Sequence, residues 1–222
     1  MKNIPFFCIL LTLIGCFGCN TGGKNPQSII TSGIELSVEP GENWYGKIKI
    51  FIFSIKRTPQ MAAWTEDDQG HYISTITVTN RSAKNSWRSA PKDGRPEALP
   101  VWSHRIQNNM EQIDSVSSAT PKGAIDIHVD DRSLINGQEY KVYLEINHSF
   151  DYNETWPERE NDVNGQPSLI YYAQFFAGET GRIKLIPIGN GSVDGSDGNI
   201  VQGLGGITTA LTIIKDAYII IE

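Results

Sequence analysis

The chain has 222 residues, a formal net charge of −6 and three cysteines. Lys and Arg are scattered, so no basic surface is expected to track a phosphate backbone, and nucleic acid is excluded as a partner. All cysteines lie in the first 19 residues, which excludes a disulfide framework and leaves the core to hold the fold.

Met1-Lys2-Asn3 is a short basic start, and residues 4–14 form an apolar run interrupted by Pro5 and Thr12. The run is too short and too near the start for a spanning helix. Leu13-Ile14-Gly15-Cys16 fits a lipoprotein processing site. That pattern favours Cys16 as the lipidated residue. Cysteine parity favours Cys19, since cleavage there leaves no odd thiol in an exported chain. Cys16 is the reading adopted, with Cys19 as the alternative. Residues 1–19 therefore read as a signal peptide with its lipobox. Residues 20–33, with Gly22, Gly23 and Pro26, read as a flexible tether. Residues 34–222 read as one domain. The expectation is an exported protein, lipid-anchored on the periplasmic or cell-surface face, touching the membrane by its lipid alone.

Residues 34–39 (IELSVE) alternate apolar and polar and predict a half-buried strand stopped by Pro40-Gly41. Residues 44–56 (WYGKIKIFIFSIK) predict one strand, apolar on both faces in its second half and therefore central in a sheet. Residues 61–64 lead into a turn at 65–70, and residues 71–79 (HYISTITVT) predict the next strand of a hairpin with a Gly-containing loop. Residues 80–95 read as a loop and 98–110 as a short helix pointed by Val101, His104 and Ile106. Further strands are predicted at 124–129, 140–147, 168–176 and 182–187, with a long exposed loop at 187–206. At 207–222 the sequence allows a helix capped by Thr208 and then a strand, or a pair of strands. The absence of a strand-helix-strand rhythm predicts an all-β fold: an antiparallel, immunoglobulin-like β-sandwich with one or two short helices.

Three stretches carry chemistry-bearing side chains. The loop at 113–123 (IDSVSSATPKG) is hydroxyl-rich and closed by Pro121 and Gly123. It reads either as a Ser/Thr turn or as a presented attachment site. Pro121 biases Thr120 to an extended conformation, and Lys122 offers charge for a phosphate. The stretch at 147–168 is dense in imidazole, carboxylate, amide and aromatic groups: His148, Asp151, Tyr152, Asn153, Trp156 and Gln166. Loops at sheet ends are where binding concentrates, so this stretch, with the loop at 189–206, is the candidate ligand or partner surface. No second His follows His148 at ligand spacing. The third stretch, at 194–199 (DGSDGN), has alternating oxygen side chains but no following bidentate Glu, so it reads as a solvated turn. His128 and Asp130 share one strand face, too few ligands for a metal centre. No nucleophile elbow, P-loop, zincin or dinucleotide fingerprint occurs, so no catalytic residues and no metal are assigned.

Asp114-x-x-Ser117-x-Ala119-Thr120 resembles the acceptor motif of proteins that carry covalent FMN, departing at Ser118, where that motif has Gly. The resemblance implies that Thr120 would join the flavin phosphate as a phosphoester. More widely, residues 34–222 resemble a family of predicted periplasmic proteins of unknown function. The elements carrying this are Trp64-x-Glu66-Asp67, the segment 101–105, the 114–123 loop, Phe150-Asp151-Tyr152-Asn153 and Gly165-Gln166-Pro167-Ser168. Some relatives lie beside PepSY-type membrane redox proteins, which implies an envelope electron-transfer context with such a protein, or another envelope protein, as partner. Two functions follow. One is a flavin-carrying or flavin-contacting accessory protein, and the other is a non-catalytic binding lipoprotein that recognises an envelope partner or ligand.

Overall fold

A computed structural model describes residues 33–50, 53–84, 86, 94–106, 117–118, 123–129, 133–161 and 165–222. The strands in chain order are β1 (Ile34–Pro40), β2 (Gly46–Ile50), β3 (Phe53–Arg57), β4 (Gln60–Asp67), β5 (Tyr72–Thr79), β6 (Ser117–Ser118), β7 (Ile125–Val129), β8 (Glu139–Asn147), β9 (Leu169–Phe176), β10 (Gly181–Lys184), β11 (Ile186–Asn190), β12 (Val201–Gln202) and β13 (Ile214–Ile221). Short helices α1 (Asn80–Ala83), α2 (Pro100–Arg105) and α3 (Glu158–Asn161) and 3-10 turns at Pro96–Ala98 and Thr209–Thr212 join them.

Strand alternation builds the sandwich. In β1, Ile34, Leu36 and Val38 are buried while Glu35 and Ser37 face outward. Its neighbour β13 turns Ala217, Ile219 and Ile221 inward in the same way. These strands belong to a four-stranded sheet in the order β10-β13-β1-β7. Opposite it lies a seven-stranded sheet in the order β12-β11-β9-β8-β4-β5-β6. From β8 it contributes Tyr140, Val142, Leu144 and Ile146 to the shared core, and from β9 Leu169, Tyr171, Ala173 and Phe175. Burying each large aliphatic side chain contributes roughly 1.5–3 kcal/mol. The all-β sandwich expected from the sequence is what the chain forms.

The larger sheet is buried on its other face as well. Ala62, Trp64, Val78 and Ile170 pack there against Leu99, Val101, Trp102 and Ile106 of the segment around α2. A second, smaller core results, and it buries polar residues of β8 that alternation alone would turn to solvent.

Several local expectations are corrected. Residues 44–56 are not one central strand: β2 and β3 pair with each other, Gly46 opposite Arg57 and Ile50 opposite Phe53, as a separate two-stranded sheet. β4 continues through Asp67, so Thr65 and Glu66 are strand residues rather than turn. Of the predicted helix at 98–110, residues 107–110 lie outside the described residues; the rest is the end of a 3-10 turn followed by α2, and its buried points are Val101, Trp102 and Ile106. The predicted strand at 182–187 is two strands in different sheets, divided at the buried Leu185, so the chain crosses the sandwich there. The loop at 187–206 begins in β11 and contains β12. Thr208 precedes a 3-10 turn, caps nothing with its side chain, and is followed by one strand. Within the central loop, Ser117 and Ser118 pair in parallel with Val78 and Thr79 at the edge of the larger sheet.

Candidate functional site

At the end of β8 the chain turns, and His148 swings back under the segment that follows β1. The ring is nearly inaccessible. Its Nε2 donates to the carbonyl oxygens of Asn43 and Trp44, 3.1 Å each. Two carbonyl acceptors fix the Nε2–H tautomer and leave Nδ1 as an acceptor. Burial lowers the His148 pKa, and the two carbonyls offset part of that effect, so the ring is neutral at pH 7. Gly46 lies against it. A Cβ there would stand 2.9 Å from Nδ1, so only glycine lets β2 approach this closely. Phe150 follows with a left-handed φ of 64°, a conformation that costs a bulky residue energy and recurs at ligand sites.

Asp151 is the hub of a second set of bonds. Its Oδ1 accepts from Thr209 Oγ1 at 2.6 Å and its Oδ2 from Gln166 Nε2 at 2.8 Å. Burial raises the Asp151 pKa, and the Thr209 bond offsets part of the rise. Gln166 Oε1 accepts from the Thr208 backbone N–H at 2.7 Å. Gly165, with φ of 77°, sits so close to Asp151 that a Cβ would lie 2.5 Å from its carbonyl. Asn153 ties its own loop by accepting from the Thr155 and Trp156 amides, and it donates to the Gly206 carbonyl at 2.8 Å. The loop after β8 and the 3-10 turn before β13 are thus held together by side-chain amides and hydroxyls.

Between these elements opens a cavity of about 160 Å³, lined by residues 42, 43, 45 and 46, by residues 148–151 and by Thr209. Polar groups are carried by Glu42, Asn43, Tyr45, Ser149 and Asp151. Cations sit around it: the Lys56 ammonium lies 5.7 Å from the Tyr45 ring centre, and the Arg57 guanidinium 5.6 Å from that of Phe150. Arg95 Nη1 donates to Ser149 Oγ at 2.8 Å. Burial, together with the nearby Arg81 and Arg95 charges, lowers the Arg57 pKa.

Of the residues singled out in the sequence, His148 and Asp151 line the cavity, and Gln166 and Asn153 brace its walls. Tyr152 stands edge-on to Phe150 with ring centres 6.4 Å apart, and Trp156 packs on the main core. The loop at 191–199 lies elsewhere. Gly191, Gly195 and Gly198 approach Pro100, the Pro96–Glu97 backbone and His104, so that loop closes over the α2 segment. Its Asp194 and Asp197 accept from the amides of Ser196 and Asn199, as turn residues do. Asp114, Ala119 and Thr120 of the flavin-acceptor resemblance lie outside the described residues, as do Cys16 and Cys19. Ser117 starts β6. Glu42, Asn43, Tyr45, Gly46 and Thr209 were not legible as site residues, because only the packing of β1, β2 and β13 around β8 brings them to His148.

The larger sheet holds one further group of note. Glu145 on β8 is fully buried. Its carboxylate accepts from the Trp102 amide at 2.7 Å, the Val101 amide at 3.2 Å and Ser168 Oγ at 2.6 Å. Those bonds fasten the start of α2 to the sheet.

Set against known proteins, the chain matches no family model, no curated protein and no solved structure. What fold and site define is a class: a β-sandwich with a polar, aromatic-flanked cavity built at one end of its central strand. Among the described residues no helix is long and apolar enough to cross a membrane.

Proposed function

We propose that this protein is a non-catalytic, lipid-anchored binding domain of the cell envelope, and that the cavity beside His148 takes a small hydroxyl-rich ligand such as a terminal sugar residue. The observation that carries this reading is the convergence of His148, Asp151, Glu42 and Asn43 on one cavity flanked by Tyr45 and Phe150. A ring-sized ligand matches the space, since a cavity of about 150 Å³ holds a molecule the size of benzene. Carboxylates and an Nε2-protonated imidazole are acceptors, which suits a ligand that donates hydrogen bonds. The aromatic sides suit the apolar face of a sugar ring.

Binding fits better than turnover. His148 Nε2 is committed to two carbonyls and Asp151 to Thr209 and Gln166, so neither is poised to move a proton. Anchoring rests on the residues around Cys16, and the tether at 20–33 would hold the site clear of the lipid surface. The test is thermal melting of the full chain against a panel of monosaccharides, with small ammonium compounds and carboxylates as comparison sets. A saccharide should raise the melting temperature, and both Asp151→Asn and Tyr45→Ala should remove the shift. Stabilisation by ammonium compounds or carboxylates alone, or a saccharide shift that both variants keep, would count against the proposal.

A further inference from the structure

On the far side of the sandwich, the outer face of the four-stranded sheet gathers three metal-ligating side chains. Glu35 on β1 stands directly opposite His128 on β7, and on its other side opposite Ile220 of β13. Two residues past Ile220, on the same face, comes Glu222. The His128 Nε2 lies 2.8 Å from Glu35 Oε2. One ligand atom each from Glu35, His128 and Glu222 falls within 4.8 Å of the others. The sequence offered His128 only Asp130 as a companion; strand register supplies two carboxylates from different strands instead.

The charge balance there is uneven. Among the described residues, no lysine or arginine is paired with Glu35 or Glu222. The nearest candidate by register, Arg182 opposite Ile220, has its guanidinium 3.7 Å from the Tyr218 ring centre instead. Two carboxylates thus share a single imidazole, and like charges at this range favour a cation.

We propose that Glu35, His128 and Glu222 form a surface site for a divalent ion of the Zn²⁺ class. The ligands of a tetrahedral Zn²⁺ stand about 3.3 Å apart, from bonds of roughly 2.0–2.2 Å, a spacing these three reach by small rotamer changes. One imidazole with two carboxylates favours such an ion over Ca²⁺ or Mg²⁺, which take oxygen ligands. Three protein ligands leave a fourth position open for water or for a group from outside the chain. The ion would also link the edge strand β7 through β1 to the end of β13.

Titration calorimetry of the full chain with Zn²⁺ tests this, with His128→Ala, Glu222→Gln and His71→Ala as variants. His128 is mostly exposed, so its loss should leave the fold intact by circular dichroism. The parent should bind one equivalent more than His128→Ala, whatever the cysteines near the start take up. Glu222→Gln should weaken that equivalent roughly tenfold or more, and His71→Ala should not change it. Co²⁺ bound to the parent should give visible absorption that His128→Ala lacks. Equal Zn²⁺ binding by parent and His128→Ala, or displacement of Zn²⁺ by comparable concentrations of Ca²⁺, would overturn the assignment.

Discussion

Glu145 occupies a site where a carboxylate costs energy to keep charged. Burial pushes its pKa up from 4.5 to about 7, while Ser168 and the amides of Trp102 and Val101 pull it partly back. The folded chain therefore holds this proton more tightly than the unfolded chain does. Its contribution to stability is complete below the unfolded value and is lost as pH rises through about 7, a change of roughly 3 kcal/mol at most. His148 has the opposite sign: its lowered pKa gives stability above its unfolded value of 6.5 that is lost on acidification. For Glu145→Gln we predict a loss of about 1–3 kcal/mol at pH 5, because the amide cannot accept from all three donors. The gap to the parent should narrow at pH 7.5, since the neutral amide lacks the titration. Urea melts of both chains at the two pH values measure this. Glu145's role is not legible in the sequence: within YKVYLEIN it occupies an ordinary outward position, and only α2 lying across the sheet buries it.

At the scale of elements, α2 is too short to be stable alone and depends on what it is fastened to. Glu145 holds its first turn, Arg105 at its end pairs with the buried Glu66 at 2.9 Å, and the 191–199 loop closes over it. Gly191 is a close point of that closure, since a Cβ would lie 2.6 Å from both Pro100 Cγ and Ser168 Oγ. Gly191→Ala should cost about 1–3 kcal/mol by overpacking and should speed hydrogen exchange at the Val101 and Trp102 amides. Unchanged exchange would show that the loop does not clamp the helix. The fold-back between β2 and β3 is not legible in the sequence because IKIFIFSIK has strand character throughout. Propensity marks extended backbone, but it does not say where a strand folds back on itself.

For the whole molecule, one seven-stranded sheet serves two cores. Leu144 faces the larger core and is wholly buried, while Trp64 on the neighbouring strand faces the smaller one. Strands shared between both layers couple them, so the domain should unfold in one transition. Leu144→Ala should lower stability by roughly 2–5 kcal/mol and shift the circular dichroism and tryptophan fluorescence transitions together. Separate shifts would mean that the α2 layer unfolds on its own.

The sequence by itself determined the fold class and most strands. Alternation in IELSVE, AIDIHV and YKVYLEIN reports directly which side chains leave water, and burial of those side chains drives the fold. It also singled out His148, Asp151, Asn153 and Gln166, because polar and aromatic residues crowd a loop after a strong strand. Tertiary structure alone decided what those residues meet. The carbonyls of Asn43 and Trp44 reach His148 from about a hundred positions away in the chain, and Thr209 reaches Asp151 from 58. It also decided that Glu35, His128 and Glu222 share one surface. Such contacts depend on strand order and register, which period-two patterning leaves open, because the same alternation permits many pairings.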